Sequence, residues 1–150
     1  MDVLDGALRH EKDAIKLYAY LVEQASLDSV KRLFSSLLKD ERKHLERIEN
    51  FRACRNDLVA CRNDSLEFSR LFPHIVKDPG VESLCREEVN FYREVMEREK
   101  NGINQYEYFL HNSCDEKSKV LLNAIIAQEK KHFDIVKGLC VFISEQQSYK

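Results

Sequence analysis

The chain has 150 residues with 24 basic and 26 acidic side chains, so its formal net charge is −2. This balance argues against a nucleic-acid-binding surface or a polybasic membrane anchor, and an apolar fraction of 43% argues against disorder. With only 4 Gly and 2 Pro, the composition favours long helices in one domain, residues 1–150.

Periodic apolar residues predict two helices in the first half of the chain, as one hairpin over about residues 3–56. The first stripe includes Leu4 and Leu8, and the second includes Leu33 and Leu37. Ser26–Ser29 interrupts the pattern with residues suited to helix caps, so we place the turn there.

A long crossover is expected over about residues 57–80, because both prolines lie in this part of the chain. Its end, Asp78-Pro79, reads as an N-cap followed by a proline at the first helical position. A second hairpin follows over about residues 81–147, with its turn near Ser113 and Glu116, which have capping-box spacing. The predicted fold class is therefore all-α: a four-helix bundle of two helical hairpins joined by a long crossover.

The two hairpins repeat each other at an offset of 88 residues. The segment from Glu11 to Tyr18 matches the segment from Glu99 to Tyr106. The segment Asp40-Glu41-Arg-Lys-His44 matches Gln128-Glu129-Lys-Lys-His132. The chain has 16 Glu and 5 His, so about half of one Glu-x-x-His is expected by accident. Two copies at the same offset as two Glu-x6-Tyr segments are much harder to attribute to chance.

The spacing predicts that the repeated carboxylates meet. Both helices of a hairpin rise by about 1.5 Å per residue, so residues equidistant from the turn lie at one level. Residue 26 is midway between Glu11 and Glu41, and residue 114 is midway between Glu99 and Glu129; both midpoints fall in the predicted turns.

Four carboxylates on apolar stripes would be too costly to bury without cations. Two divalent ions would neutralise them, and the histidines His44 and His132 lie one turn from Glu41 and Glu129. Carboxylates with imidazoles suit iron, or manganese or a mixed pair, better than structural zinc. The plain alternative for a single Glu-x-x-His is a surface ion pair.

These motifs resemble the ferritin-like di-iron carboxylate superfamily over about residues 3–147, and most closely its rubrerythrin-like branch. The resemblance implies two sets of ligands with Glu41 and Glu129 bridging the two irons. The first set is Glu11, Glu41 and His44, and the second is Glu99, Glu129 and His132. It also implies that Tyr18 and Tyr106 hydrogen-bond ligand carboxylates, although ordinary core packing is the alternative for both.

Some positions depart from the family. Rubrerythrins carry a further Glu where this chain has Gly102, and the matching residue of the first half is Ala14. We expect these two small residues to leave space beside the metals for a small oxidant. Arg42 stands where bacterioferritin has its haem-binding Met, so no haem is expected. A storage shell is less expected, because the sequence ends with the fourth helix.

The remaining aromatic and imidazole side chains receive plain interpretations. Tyr20 and Tyr108 lie off the Glu11 and Glu99 faces and are expected to pack. His10, His74 and His111 have no matching partner and are expected in loops or on the surface.

The resemblance implies an oxidoreductase that reduces hydrogen peroxide or dioxygen at a di-iron centre. No Cys-x-x-Cys pair is present, so electrons would come from an external donor such as a rubredoxin-like protein. Two alternatives stay open: an iron-binding or ferroxidase protein, and a structural or sensing domain with an unreactive site. A homodimer is expected from the family. A cytoplasmic location with reduced cysteines is expected because no signal-peptide or membrane-spanning pattern is evident; Cys54 and Cys61 could share a helix face.

Overall fold

The computed structural model describes residues 3–53 and 65–148, and within them the regular structure is entirely helical. The helices are α1 (Val3–Gln24), α2 (Asp28–Arg52), α3 (Ser65–Val76), α4 (Arg86–His111) and α5 (Glu116–Ser148), and Pro79–Ser83 forms a 3₁₀ helix. The predicted all-α class is confirmed. The end of the predicted first hairpin, the start of the crossover, and Cys54 and Cys61 lie outside the described residues.

The long helices pack as two hairpins, α1 with α2 and α4 with α5. The hairpins meet through α1 against α4 and through α2 against α5, which is the arrangement of a ferritin-like helical bundle. Because each hairpin turn is short, its two helices stay adjacent and antiparallel along most of their length.

The first turn lies where the sequence predicts it, but its capping differs. Leu27 occupies the N-cap of α2 and has no side-chain cap. The serines of this turn bind the other hairpin instead: the backbone N–H and the hydroxyl of Ser26 donate to Glu88 at 3.2 and 3.0 Å. Ser29 Oγ donates to Asp78 Oδ2 at 2.6 Å. These residues therefore tie the two hairpins together at one end of the bundle.

The start of the second hairpin also differs in detail. Asp78 acts as the predicted cap, because its Oδ1 accepts the N–H of Gly80 at 2.9 Å, but it caps the 3₁₀ helix rather than α4. Cys85 is the N-cap of α4. At the start of α5, Asp115 accepts the N–H of Lys117 at 3.2 Å, so the predicted capping role of Ser113 is wrong.

The crossover contains a helix that the sequence analysis does not predict. α3 packs against α2 and α5, with Ile75 fully buried and the ring of Phe72 edge-on to Phe142 at 6.1 Å. Pro73 lies inside α3, three residues before its last residue, Val76. The apolar face of this segment outweighs the single backbone hydrogen bond that the proline removes.

Two apolar clusters fill the interior of the bundle. The larger one includes Leu33, Leu37 and Tyr92, and the smaller one includes Leu4, Ile48 and Leu122. Tyr18 belongs to the first cluster and Tyr106 to the second. A band of buried polar side chains lies among these residues, and it forms the candidate site.

Candidate metal centre

Six titratable side chains come together in the interior, contributed by all four long helices. Glu11 lies on α1, Glu41 and His44 on α2, Glu99 on α4, and Glu129 and His132 on α5. None of the six exposes more than 6% of its surface. Each lies on the buried stripe of its helix, as Glu11 does one turn from Leu8.

The six side chains form two overlapping groups. Glu11, Glu41, His44 and Glu129 make one group, and Glu41, Glu99, Glu129 and His132 make the other. Within each group, one oxygen or nitrogen from every side chain lies within 4.8 Å of the others. Glu41 and Glu129 belong to both groups, so their carboxylates lie between the other four side chains.

Both imidazoles present the same nitrogen to the carboxylates. His44 Nδ1 lies 3.2 Å from Glu129 Oε1 and 3.5 Å from Glu41 Oε2. His132 Nδ1 lies 2.9 Å from Glu41 Oε1 and 4.0 Å from Glu129 Oε2. A nitrogen that faces a ring of carboxylate oxygens can share a cation with them.

The opposite nitrogen of each imidazole is held by a residue of the other hairpin. His132 Nε2 donates to Asp40 Oδ2 at 3.1 Å, and His44 Nε2 donates to the side-chain oxygen of Gln128. Such a partner sets the tautomer of a histidine and fixes its orientation. The sequence analysis missed both contacts. Asp40 and Gln128 are matched positions in the repeat, and that was the available signal.

The two matched tyrosines cross between the hairpins in the same way. The hydroxyl of Tyr18 on α1 donates to Glu99 on α4, and the hydroxyl of Tyr106 on α4 donates to Glu11 on α1. Burial and the nearby carboxylates raise the pKa of both tyrosines well above the ordinary range. Both hydroxyls therefore stay protonated and remain donors.

Burial and mutual repulsion shift the pKa values of the carboxylates. Burial, followed by the charge of a neighbouring carboxylate, raises the pKa of Glu11 and of Glu99 well above their usual range, and the same causes raise the pKa of Glu129 to about 7. Without a cation, protons must therefore neutralise part of the cluster.

For Glu41 and the two imidazoles, the neighbouring groups outweigh burial in setting the pKa. Burial acts to raise the pKa of Glu41, but the neighbouring Glu11 and the two imidazoles outweigh it and lower the pKa. Burial acts to lower the pKa of His44 and His132, but the surrounding carboxylates outweigh it and raise both values. Glu41 therefore carries the negative charge most readily.

Several buried atoms of the cluster lack a hydrogen-bond partner in the part of the chain that the structure describes. These atoms are Glu11 Oε2, Glu41 Oε2, Glu129 Oε1 and His44 Nδ1. Buried polar atoms are normally paired, and unpaired ones are costly. A cation in each group would satisfy them. Carboxylate oxygens with one imidazole per group fit iron or manganese, so the residues present can hold two metal ions.

The rubrerythrin family model matches residues 2–140 of the chain. The chain belongs to the rubrerythrin family. Comparisons with curated proteins and with solved structures found no significant match. Within the described residues, no helix of this rubrerythrin-family chain is both long and apolar enough to cross a membrane.

One prediction about a position beside this family's site is wrong. His10 is neither in a loop nor on the open surface: it is half-buried in α1, with its ring against Gly102. The space expected beside Ala14 and Gly102 is present as a cavity, and the His10 imidazole occupies the part of it that adjoins Gly102. In contrast, His74 and His111 are exposed, as predicted. Sequence periodicity cannot reveal a side chain that packs across two helices.

The expectation that Tyr20 and Tyr108 pack is met only in part, because they lie outside the core and expose 51% and 65% of their surface. Each contacts a partly buried ring instead, Tyr20 with Phe91 and Tyr108 with Phe109. The α1–α4 face leaves one side of both tyrosines open.

Proposed function

We propose that the chain binds two iron ions and acts as a di-iron oxidoreductase that reduces hydrogen peroxide or dioxygen. The observation that carries the proposal is the overlap of the two side-chain groups at Glu41 and Glu129. Two carboxylates shared by two otherwise separate sets are what a pair of adjacent cations requires. A single structural ion would need only one of the sets.

In this proposal each iron has its own carboxylate and imidazole. Glu11 and His44 would hold the first iron, Glu99 and His132 would hold the second, and Glu41 and Glu129 would be shared between them. The low pKa of Glu41 favours its bridging role, because it is already ionised when a cation arrives. Glu129, with a pKa of about 7, releases a proton on binding.

When bound, two ferrous ions supply the two electrons that, together with two protons, reduce hydrogen peroxide to two water molecules. The protein supplies the geometry. Tyr18 and Tyr106 hold the outer carboxylates from the opposite hairpin, and Asp40 keeps the imidazole of His132 turned toward the centre. The apolar clusters on either side exclude bulk water, which strengthens every charge interaction within.

An external protein must then return the electrons, and we propose a rubredoxin-like donor. The three cysteines among the described residues are free thiols: Cys85 precedes α4, Cys114 lies in the turn between α4 and α5, and Cys140 lies on α5. None of them neighbours the six-residue cluster in sequence. Assembly into a homodimer stays a prediction.

Metal content tests the first part of the proposal. After anaerobic purification and loading with ferrous iron, we expect about two iron ions per chain and, after oxidation, the visible bands of an oxo-bridged diferric pair. The double variant Glu41→Ala/His44→Ala should lose both. The matched control Glu46→Ala/His111→Ala changes an exposed residue of each type and should keep them. Unchanged iron content in the first variant would refute the assignment.

Rapid mixing of the diferrous protein with hydrogen peroxide, and separately with dioxygen, tests the second part. We expect oxidation much faster than that of free ferrous iron at the same concentration. Oxidation no faster than free iron would refute the oxidoreductase. Iron uptake far beyond two ions per chain would instead identify an iron-storage or ferroxidase protein.

A further inference from the structure

A cavity of about 270 Å³ lies between α1 and α4, beside the proposed metal centre. Exposed side chains lie at its rim, and the carboxylate-bearing residue Glu99, which is 6% exposed, lies at its inner end. The cavity therefore runs from the surface to one side of the centre. Its lining includes His10, Ala14, Arg98, Glu99, Gly102 and Gln105.

The ring of His10 forms part of the wall of this cavity and lies against Gly102. A methyl group added to Gly102 would lie 2.6 Å from His10 Cε1 and 2.7 Å from Nε2, closer than carbon and nitrogen can pack. The absence of a side chain at Gly102 is thus what admits the ring. Ala14, which also lines the cavity, is small as well.

The ring of His10 is ordered by light contacts. It lies edge-to-face with the ring of Tyr106, at a centroid distance of 4.9 Å and an interplanar angle of 85°. The side chain of Gln105, an exposed residue, hydrogen-bonds it. A half-buried ring with one exposed partner can leave its position by side-chain rotation alone, without movement of α1 or α4.

We propose that His10 is the gate of this cavity and sets the size of the molecules that reach the metal centre. In the observed position the ring narrows the path over Gly102. When it turns toward the rim, a molecule of the size of hydrogen peroxide or azide reaches the Glu99 side. Bulkier molecules need a wider opening. The inference rests on the proposed function only in treating the entering molecule as an oxidant.

Cobalt(II) bound in place of iron provides a test without turnover, because its visible bands report ligand entry. If the open position is a minor state of about 10% or less, His10→Ala should speed azide association by about tenfold or more. It should also speed imidazole association by a larger factor, which would reduce the size discrimination. His10→Phe, which keeps a ring over Gly102, should keep the slow association. His111→Ala is the matched control, and it changes an exposed histidine at the end of α4.

Association rates in His10→Ala within twofold of the original protein would overturn the gate, as would equal rates in His10→Phe and His10→Ala. Failure of cobalt to bind at all would instead refute the proposed metal centre.

The gate can also be judged on the metal-free protein by labelling Glu99 with a water-soluble carbodiimide and an amine. His10→Ala should raise the labelling of Glu99 several-fold, while Glu11, which does not line the cavity, should stay unlabelled. Unchanged labelling of Glu99 would overturn the gate whether or not metals bind.

Discussion

Replacing Glu129 with Gln should make the metal-free protein more stable and the metal-loaded protein less stable. Glu129 is 1% exposed and is shared by both side-chain groups. Gln has nearly the same shape and can still accept from an imidazole, but it has no charge to bury. The substitution therefore isolates the cost of one buried carboxylate.

The size of the effect follows from the pKa of Glu129. Burial raises that pKa to about 7 from an ordinary 4.5. Between these two pH values the folded state holds a proton that the unfolded state has lost, so the stability of the metal-free protein falls as pH rises through this window. The full loss, above pH 7, is about 3 kcal/mol. The Gln variant avoids it, so its advantage should be small at pH 5 and close to that value at pH 8.

Bound metal should reverse this order and make the wild-type protein more stable than the Gln variant. A cation at about 100 times its dissociation constant adds about 3 kcal/mol of stability per site. The variant lacks an oxygen ligand common to both groups and should lose most of this gain. The wild-type protein should then unfold at the higher denaturant concentration.

Urea unfolding followed by circular dichroism at 222 nm measures the stability of the metal-free protein in a chelator and of the metal-loaded protein in excess Mn²⁺. Both are measured at pH 5 and pH 8. Glu46→Gln, which changes an exposed carboxylate of α2, is the control and should change neither the metal-free nor the metal-loaded stability. A metal-free Glu129→Gln protein that is no more stable than wild type at pH 8 would refute the buried-charge reasoning. Unchanged stabilisation by Mn²⁺ in the variant would refute the role of Glu129 as a ligand.

Three further substitutions test separate parts of the structure. Asp40→Asn should weaken metal binding by about 10- to 100-fold in a metal titration, because it loosens the imidazole that Asp40 orients; an unchanged affinity would contradict this. Tyr106→Phe should lower the free energy of unfolding by about 1–2 kcal/mol in urea, because it deletes a buried hydroxyl donor, whereas Tyr108→Phe, at an exposed ring, should have no effect. Leu122→Ala removes a fully buried side chain and should cost about 2–5 kcal/mol without changing the metal content per chain; a loss of metal in the folded variant would contradict the separation of core and site.

The sequence alone predicts which six residues come together. The reason is that both helices of a hairpin have the same rise per residue, so the position of the turn determines which residues lie at the same level. The turns at 25–27 and 112–115 bring Glu11 level with Glu41 and Glu99 level with Glu129. The repeat then predicts that both pairs lie at matching heights in the bundle.

Capping and the crossover are less readable from local pattern. Ser26 and Ser113 are of a residue type that often caps helices. However, Ser26 binds Glu88 of the other hairpin, and Asp115 rather than Ser113 caps α5. A short polar side chain serves equally well as a local cap or as a link between hairpins, and the neighbouring hairpin decides between them. α3 forms because its apolar face finds α2 and α5 to cover.

The sequence by itself determined the helical fold class, the two hairpins and the six clustered side chains. These features follow from composition and from the spacing of residues along the chain. The partners across the hairpins were decided only by the tertiary structure. Tyr18 binds Glu99 rather than Glu11, which is nearer in sequence. Asp40 holds His132, and His10 lies in the space that Gly102 leaves. Such contacts depend on the distance and rotation between helices that are far apart in sequence. Helical periodicity specifies which face of a helix is buried, but it does not specify which residue of another helix meets that face.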